Sequence, residues 1–187
     1  SLKVAAVQMR STRSLSDNLA RITNSIHECA RAGARVVVFP ECAITGYCFS
    51  SLEEAMPLGE YVPGPSSEAL ARECRRLGVY AVVGLLERAA GRLFNAAVLV
   101  GPSGVLGSYR KVHLPYLGVD RFVTPGDGAF QVYETEVGRL GIHICYDCVF
   151  PESARVMALA GAEVLVLPTN WPQGREKVPA YYVNTRA

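Results

Sequence analysis

The sequence predicts an α/β fold in which helices pack outside one mixed sheet, or outside two sheets that lie face to face. Strand-like and helix-like stretches alternate along the 187 residues, and 50% of these residues are hydrophobic, so the chain can bury one substantial core. Two helix-like stretches come early, and strand pairs joined by turns lie in the middle. A further helix and strand follow them.

The elements of the first half follow from apolar spacing. Residues 35–39, Arg-Val-Val-Val-Phe, form a β-branched run that is typical of a strand buried on both faces. Apolar residues recur at helical spacing over residues 17–31, with Ser16 as the predicted N-cap and Gly33 as the predicted stop. In chain order we expect a buried strand over 3–9, a helix over 17–31, strand 35–39, a helix over 66–77 closed by Gly78, and a strand over 79–85.

The second half begins with an antiparallel pattern. A Gly-Pro-Ser-Gly turn at residues 101–104 separates two strand-like runs and predicts a β-hairpin. Two stretches rich in Pro and Gly, residues 56–65 and 117–128, are expected to be long surface loops that border a site. The other predictions are strands over 93–100, 105–110, 130–133, 139–145 and 163–167, and a helix over 151–160 with Pro151 in its first turn.

Charge and composition exclude two classes of partner. The net charge is +2, and the 19 basic and 17 acidic residues are scattered, unlike the basic stripe of a nucleic-acid-binding protein. No apolar run approaches the roughly 20 residues that cross a bilayer, so we expect no membrane partner. The chain starts on a strand pattern and not on a signal peptide, and six cysteines then fit a reducing cytoplasm better than a disulfide framework.

The whole chain, residues 1–187, is expected to form one domain. Residues 181–187 resemble a helix that is still in progress when the sequence stops. We therefore expect the natural protein to continue beyond Ala187.

Three polar residues follow apolar runs at the ends of predicted strands, where α/β proteins gather catalytic groups. They are Glu41, Lys111 and Cys145. Cys145 lies between a strand and a helix, where backbone N–H groups favour a thiolate, and a thiolate is a strong nucleophile. The alternative is a buried structural cysteine.

Glu41 and Lys111 have catalytic and structural interpretations. The neighbours of Glu41 are apolar, so desolvation should raise its pKa towards that of a useful general base; otherwise it is a surface carboxylate. Lys111 and Arg110 are adjacent in a strand and face opposite sides. If Lys111 faces inwards it needs a carboxylate partner, for which Glu41 is a candidate; otherwise it is a solvated hairpin lysine.

Two other kinds of site compete with this one. Cys145 and Cys148 form a Cys-x-x-Cys pair, which occurs in redox proteins and zinc sites, although Cys42 and Cys48 are poorly spaced to complete a zinc site. A Cys–His dyad would need His143, which lies on the same strand face at roughly 6–7 Å from Cys145, too far for a direct hydrogen bond. A buried, hydrogen-bonded role suits the histidines better.

Three blocks of the sequence resemble the signature blocks of the nitrilase superfamily of carbon–nitrogen hydrolases. They are Phe39-Pro40-Glu41, residues 109–115 (Tyr-Arg-Lys-Val-His-Leu-Pro) and Ile144-Cys145-Tyr146-Asp147. The resemblance implies a four-layer α-β-β-α sandwich that dimerises, or forms a higher homo-oligomer, through its helices. It also implies a Glu–Lys–Cys site that needs no metal or organic cofactor.

The resemblance further implies an amidase that hydrolyses a small amide through a cysteine thioester and releases ammonia or an amine. Nitrile or N-carbamoyl hydrolysis at the same site, and a non-catalytic binding relative, remain alternatives. In these roles Glu41 is the base, Cys145 the nucleophile, and Lys111 with the Tyr146 backbone N–H the oxyanion donors.

The loop after Lys111 departs from the family pattern. It lacks the second glutamate that similar sequences often carry, and Asp120 is the nearest acid. We expect Asp147 to cap the turn after Cys145. The residues expected to line the substrate pocket are Tyr47, Tyr116, Asp120, Tyr146, Asn170 and Trp171.

Overall fold

The computed structural model describes residues 1–171, so the helix expected over 181–187 lies outside the described residues. Three 3-10 turns accompany the longer elements in this part of the chain, at Met56–Leu58, Gly118–Arg121 and Cys145–Val149. The elements in chain order are β1 Val4–Ala6, α1 Leu15–Arg31, β2 Val36–Val38, α2 Leu52–Ala55, α3 Pro65–Leu77, β3 Tyr80–Ala89, β4 Arg92–Gly101, β5 Gly104–Arg110, β6 Val132–Thr135, β7 Gly138–Ile142, α4 Pro151–Leu159 and β8 Val164–Val166.

The strands form two mixed sheets. The first sheet has the order β1-β2-β3-β4-β5, in which β1, β2 and β3 are parallel and β3, β4 and β5 are antiparallel neighbours. The second has the order β6-β7-β8, with an antiparallel pair followed by a parallel one. Of the two arrangements that the sequence leaves open, the structure shows the one with two sheets.

These sheets and helices make four layers. One face of the first sheet packs on α1 and α3, and the opposite face packs on the second sheet. Helix α4 covers the outer face of the second sheet, where Met157 lies directly over Gly141. The order of layers is therefore α-β-β-α, as the resemblance implies. The core between the first sheet and its two helices includes Ile22, Ile26, Leu70, Val37, Phe39 and Val83. The core between the two sheets includes Val82, Leu99, Leu140, Ile142 and Val166.

Helix α1 begins two residues earlier than predicted. Its N-cap is Ser14, whose Oγ accepts the N–H of Asp17 at 3.3 Å, so the prediction of Ser16 as the cap was wrong. Ser16 instead lies in the first turn, because Leu15 already packs on the core. Both predicted stops are confirmed: Gly78 caps α3 with positive φ, and Gly33 adopts positive φ directly after Ala32, the C-cap of α1.

Three further predictions need correction. β1 is an edge strand of three residues with Val4 54% exposed, and not a buried strand over residues 3–9. The stretch over 56–65 contains a 3-10 turn and follows the short helix α2, which the sequence did not indicate. The stretch over 117–128 is not a simple surface loop, since Val119 and Asp120 are buried there. Both stretches fold inwards because they cover a third apolar cluster, which includes Phe49, Ala55, Leu86, Leu93 and Val123.

Helices long and apolar enough to cross a membrane do not occur among residues 1–171.

Candidate active site

The backbone brings three segments to one end of the sheets. Glu41 lies in the loop after β2, Lys111 follows β5, and Cys145 opens the 3-10 turn after β7. The Glu41 loop is pressed against β3 at Gly84, where a Cβ atom would come within 2.4 Å of the backbone on either side of Glu41. A side chain at position 84 would therefore push the carboxylate out of place.

Lys111 is an inward lysine with two carboxylate partners. Its side chain is fully buried, and Nζ donates to Glu41 Oε1 and to Asp120 Oδ2, each at 2.6 Å. Arg110 faces the other way and pairs with Glu87 at 2.6 Å. The strand alternation expected for these two cations is confirmed, and Glu41 is the partner that an inward Lys111 needs. Burial lowers the pKa of Lys111, but the two carboxylates outweigh burial and raise it above its ordinary value.

Asp120 lies where it can hold the lysine. It is 2% exposed, in the 3-10 turn of the loop that lacks a glutamate. The Tyr47 hydroxyl lies 3.0 Å from Asp120 Oδ2 and 2.9 Å from the carbonyl oxygen of Leu117, so its hydrogen can bond either oxygen. Tyr47 itself packs against Gly118, whose positive φ lets the turn pass beneath the ring. Tyr47 and Asp120 thus both belong to the network around Lys111.

Asn95 completes this network, and sequence reasoning missed it. Its amide donates one hydrogen to Glu41 Oε1 at 2.8 Å and the other to Asp120 Oδ1 at 2.7 Å. Its side-chain oxygen accepts from the Cys42 thiol at 3.6 Å. The only available signal was a polar residue in the apolar run of β4, where its 1% exposure implies buried partners.

Glu41 has one oxygen engaged and one free. Oε1 accepts from both Lys111 and Asn95, whereas Oε2 is buried without a hydrogen-bond partner among the described residues. Burial raises the pKa of Glu41 above its ordinary value and Asp120 adds to the rise, while Lys111 and Asn95 only partly oppose it. This is the direction expected for a desolvated carboxylate, and it suits a general base.

Cys145 lies within electrostatic reach of both groups. It is 5% exposed, has a φ of +45°, and donates its backbone N–H to Pro168 O at 3.0 Å. Burial raises the pKa of its thiol and Glu41 raises it further, against the smaller opposing effects of Lys111 and the Asn170 backbone N–H. The backbone N–H near Cys145 favours the thiolate, as expected from the sequence, but desolvation and the Glu41 carboxylate outweigh it.

The remaining residues expected at the pocket lie in different surroundings. Tyr47, Asn170 and Trp171 line an open cavity of about 680 Å³ together with residues 6–13. Tyr146 is half-buried and packs edge-on against Phe150. Tyr116 is 75% exposed, so a contact between its side chain and a substrate stays a prediction.

The residues of the two competing sites, the Cys–His dyad and the Cys-x-x-Cys pair, have the following surroundings. His143 is buried and its Nδ1 lies 3.0 Å from Ser153 Oγ, which is the hydrogen-bonded role expected of it. Cys145 and Cys148 are both free thiols. Within residues 1–171, His, Cys, Asp and Glu side chains form no group of three that could hold a metal ion.

The chain belongs to the carbon–nitrogen hydrolase family, since the model of that family matches residues 3–184. A nitrilase from Pyrococcus abyssi is 41% identical over 171 residues, which are 90% of this chain and 65% of that protein. The human omega-amidase NIT2 is 34% identical over 178 residues, which are 90% of this chain and 63% of that protein. The chain thus spans just under two thirds of the length of these relatives.

A solved structure has the same architecture. The carbon–nitrogen hydrolase from Helicobacter pylori G27 superimposes with a TM-score of 0.84 at 28% identity, over 99% of this chain and 67% of that one. This agreement confirms the predicted fold class.

Proposed function

We propose that this chain forms the active site of a hydrolase that cleaves the C–N bond of a small amide through a thioester on Cys145. One observation carries the proposal: a buried network leaves one acceptor and one donor unused. In the described part of the chain, Glu41 Oε2 has no partner and the three hydrogens of the Lys111 ammonium have two acceptors. Beside a thiol, these two positions suit proton removal from sulfur and stabilisation of an oxyanion.

The first step joins Cys145 to the substrate. Glu41 Oε2 removes the thiol proton as Sγ attacks the carbonyl carbon, and the electron pair of the C=O bond moves onto oxygen. Lys111 and the backbone N–H of Tyr146 stabilise that charge; Tyr146 is suited because the first N–H groups of a helical turn have no partner within it. Losing one such donor typically lowers kcat by about 10²–10³.

Burial and the charge of Glu41 raise the pKa of the thiol, so in this scheme Glu41 takes the proton during the attack and not before it. The tetrahedral species then collapses, the C–N bond breaks, and Glu41 gives its proton to the departing nitrogen. Ammonia or an amine leaves. Water next attacks the thioester and loses a proton to Glu41, and a second collapse frees the carboxylic acid while sulfur regains its proton. The overall reaction consumes one water for each C–N bond.

Asp120 acts in this scheme by holding Lys111, which places the ammonium between the base and the oxyanion. We propose that the substrate reaches Glu41 from the open cavity bordered by Tyr47, Asn170 and Trp171, whose lining includes Pro40, the residue before Glu41. Tyr116 and Tyr146 are the other residues that we propose contact it. Amides are our first choice of substrate, which accords with the name of the omega-amidase relative. Nitriles and N-carbamoyl compounds are the alternatives at the same site, and the nitrilase relative keeps the first of these open. No metal or organic cofactor takes part in the proposed steps.

The test is ammonia release from a panel of small amides, nitriles and N-carbamoyl amino acids. Cys145→Ala and Glu41→Gln should lower kcat/KM by at least about 10³. Cys148→Ser is the matched control, because it alters another buried cysteine of the same turn, and it should keep activity within a few-fold. Absence of turnover of every class by the folded wild-type protein would contradict the proposal. Equal losses in Cys148→Ser and Cys145→Ala would favour the dithiol alternative.

We also propose that the protein is a homodimer or higher homo-oligomer that resides in the cytoplasm. Helix α4 exposes 75% of Leu159 and 44% of Val156, which supports contact between copies through this layer. All six cysteines are free, which suits a reducing compartment. Light scattering on Leu159→Glu should show a smaller particle than the wild type if α4 is at the contact.

A further inference from the structure

Asp147 is a buried carboxylate that the proposed mechanism does not use. It is 0% exposed and accepts four hydrogen bonds, more than the cap expected from the sequence. The donors are the Ile144 N–H at 3.0 Å, the Tyr109 hydroxyl at 2.8 Å, and the backbone N–H and Nδ1 of His113 at 2.9 and 2.8 Å. Capping the turn requires only the first of these bonds.

The donors come from the two segments that carry the reactive groups. Tyr109 and His113 lie two residues before and two residues after Lys111, and Ile144 directly precedes Cys145. The Lys111 segment follows the first sheet and the Cys145 segment follows the second. In the described part of the chain no backbone hydrogen bond joins these two segments. Face-to-face packing of sheets fixes their spacing less sharply than a hydrogen-bonded ladder does.

We propose that Asp147 is a positioning residue that sets the separation between the Lys111 ammonium and the Cys145 sulfur. Its carboxylate acts as a clamp across the gap between the sheets. The His113 ring is itself held in place, since it stacks on Phe150 with ring centroids 3.9 Å apart. The catalytic value of this separation rests on the proposed function, whereas the separation itself can be probed without a substrate.

The probe is the chemistry of the sulfur. The Lys111 ammonium lowers the pKa of Cys145, and its effect weakens as the charge moves away. Releasing the clamp should therefore raise the pH at which Cys145 reacts with iodoacetamide. The folded protein is alkylated for set times and then digested, and mass spectrometry reports the rate, with fragment ions that separate Cys145 from Cys148.

Three variants decide the matter. Asp147→Asn weakens the whole clamp, and Tyr109→Phe removes only the bond from the Lys111 side. Tyr133→Phe is the matched control, because its hydroxyl donates to Ser108 O, at a distance of 3.1 Å, and not to Asp147. The first two should slow Cys145 alkylation on the order of tenfold at a fixed pH, equivalent to a midpoint that lies about one pH unit higher. The control should stay within twofold of the wild type.

Equal alkylation profiles for Tyr109→Phe and Tyr133→Phe would overturn the proposal, even if Asp147→Asn fails to fold. Where amide hydrolysis is measurable, Tyr109→Phe should also lower kcat per folded molecule and leave KM within about twofold. The folded fraction is measured by urea unfolding, because a loss of stability alone would lower only the amount of active protein. A wild-type protein that hydrolyses none of the panel would refute the proposed function, and the alkylation comparison would still decide the role of Asp147.

Discussion

Replacing Asn95 by leucine removes the neutral bridge between Glu41 and Asp120 with little change in volume. The amide then no longer donates at 2.8 Å to Glu41 Oε1 or at 2.7 Å to Asp120 Oδ1. Lys111 still contacts both carboxylates, so the charges of the network are unchanged. The variant therefore isolates what one uncharged donor contributes to the base.

The expected size of the effect follows from the bond to Glu41. A hydrogen bond contributes about 1.5–3 kcal/mol to a charged group and about 0.5–1.5 kcal/mol to a neutral one, so ionised Glu41 loses about 1–1.5 kcal/mol more than protonated Glu41. The pKa of Glu41, already raised by burial, should therefore rise further in Asn95→Leu, and about 1.36 kcal/mol corresponds to a tenfold change in rate at a pH below the midpoint. Glu41 must be ionised to accept the thiol proton, so the acidic limb of the kcat/KM profile moves to higher pH.

The assay is the pH dependence of kcat/KM for the best amide of the panel. At pH values below the midpoint, kcat/KM of the variant should be lower than that of the wild type by about tenfold for each pH unit that the midpoint moves. At pH values above the midpoint, kcat/KM should return to within a few-fold of the wild type. Asn18→Leu is the control, since Asn18 is an equally buried asparagine whose amide donates to the carbonyl oxygens of Thr12 and Ile44 and not to carboxylates. It should lower stability and leave the midpoint in place. A uniformly reduced rate in Asn95→Leu with an unmoved midpoint would refute the reasoning.

Three other perturbations test separate parts of the structure. Gly84→Ala should displace Glu41 and lower kcat at least tenfold, with a stability loss of about 1–3 kcal/mol. Gly128→Ala is the control: its Cβ would meet no atom within 4 Å, so neither kcat nor the urea midpoint should change. Asp120→Asn should move the acidic limb to lower pH, opposite to Asn95→Leu, because the Asp120 charge raises the pKa of Glu41; a movement in the other direction would contradict this sign. Burial lowers the pKa of His143, so as pH falls below about 6.5 the unfolded state takes up the proton first and stability is lost. The free energy of unfolding of His143→Asn, measured in urea, should therefore fall less between pH 7.5 and about pH 5 than that of the wild type. An equal fall in the two proteins would contradict the role of His143 in this pH dependence.

Local patterns were sufficient to single out the three residues for which we propose catalytic roles. Each follows a predicted strand, and strand alternation distinguishes Lys111 from Arg110. Asn95 was not anticipated because its function depends on two side chains from distant parts of the chain. For the same reason the loop around Asp120 could not be recognised as buried: its packing depends on Tyr47.

The protonation state of Cys145 shows a second limit of sequence reasoning. Neighbouring backbone N–H groups, which can be inferred from a strand-to-helix turn, favour a thiolate. Burial and the charge of Glu41 act in the opposite direction and are stronger, but both depend on the folded arrangement. The short helix α2 was missed for a related reason, since four residues carry too little periodicity to be detected.

Peroxides react with the ionised form of a thiol, so a buried sulfur with a raised pKa is a poor target for them. The desolvation that raises the pKa of Cys145 therefore also shields this residue from oxidation. The exposed Cys48 is not shielded in this way, so it should be oxidised to sulfenic acid before Cys145 when the protein is treated with hydrogen peroxide.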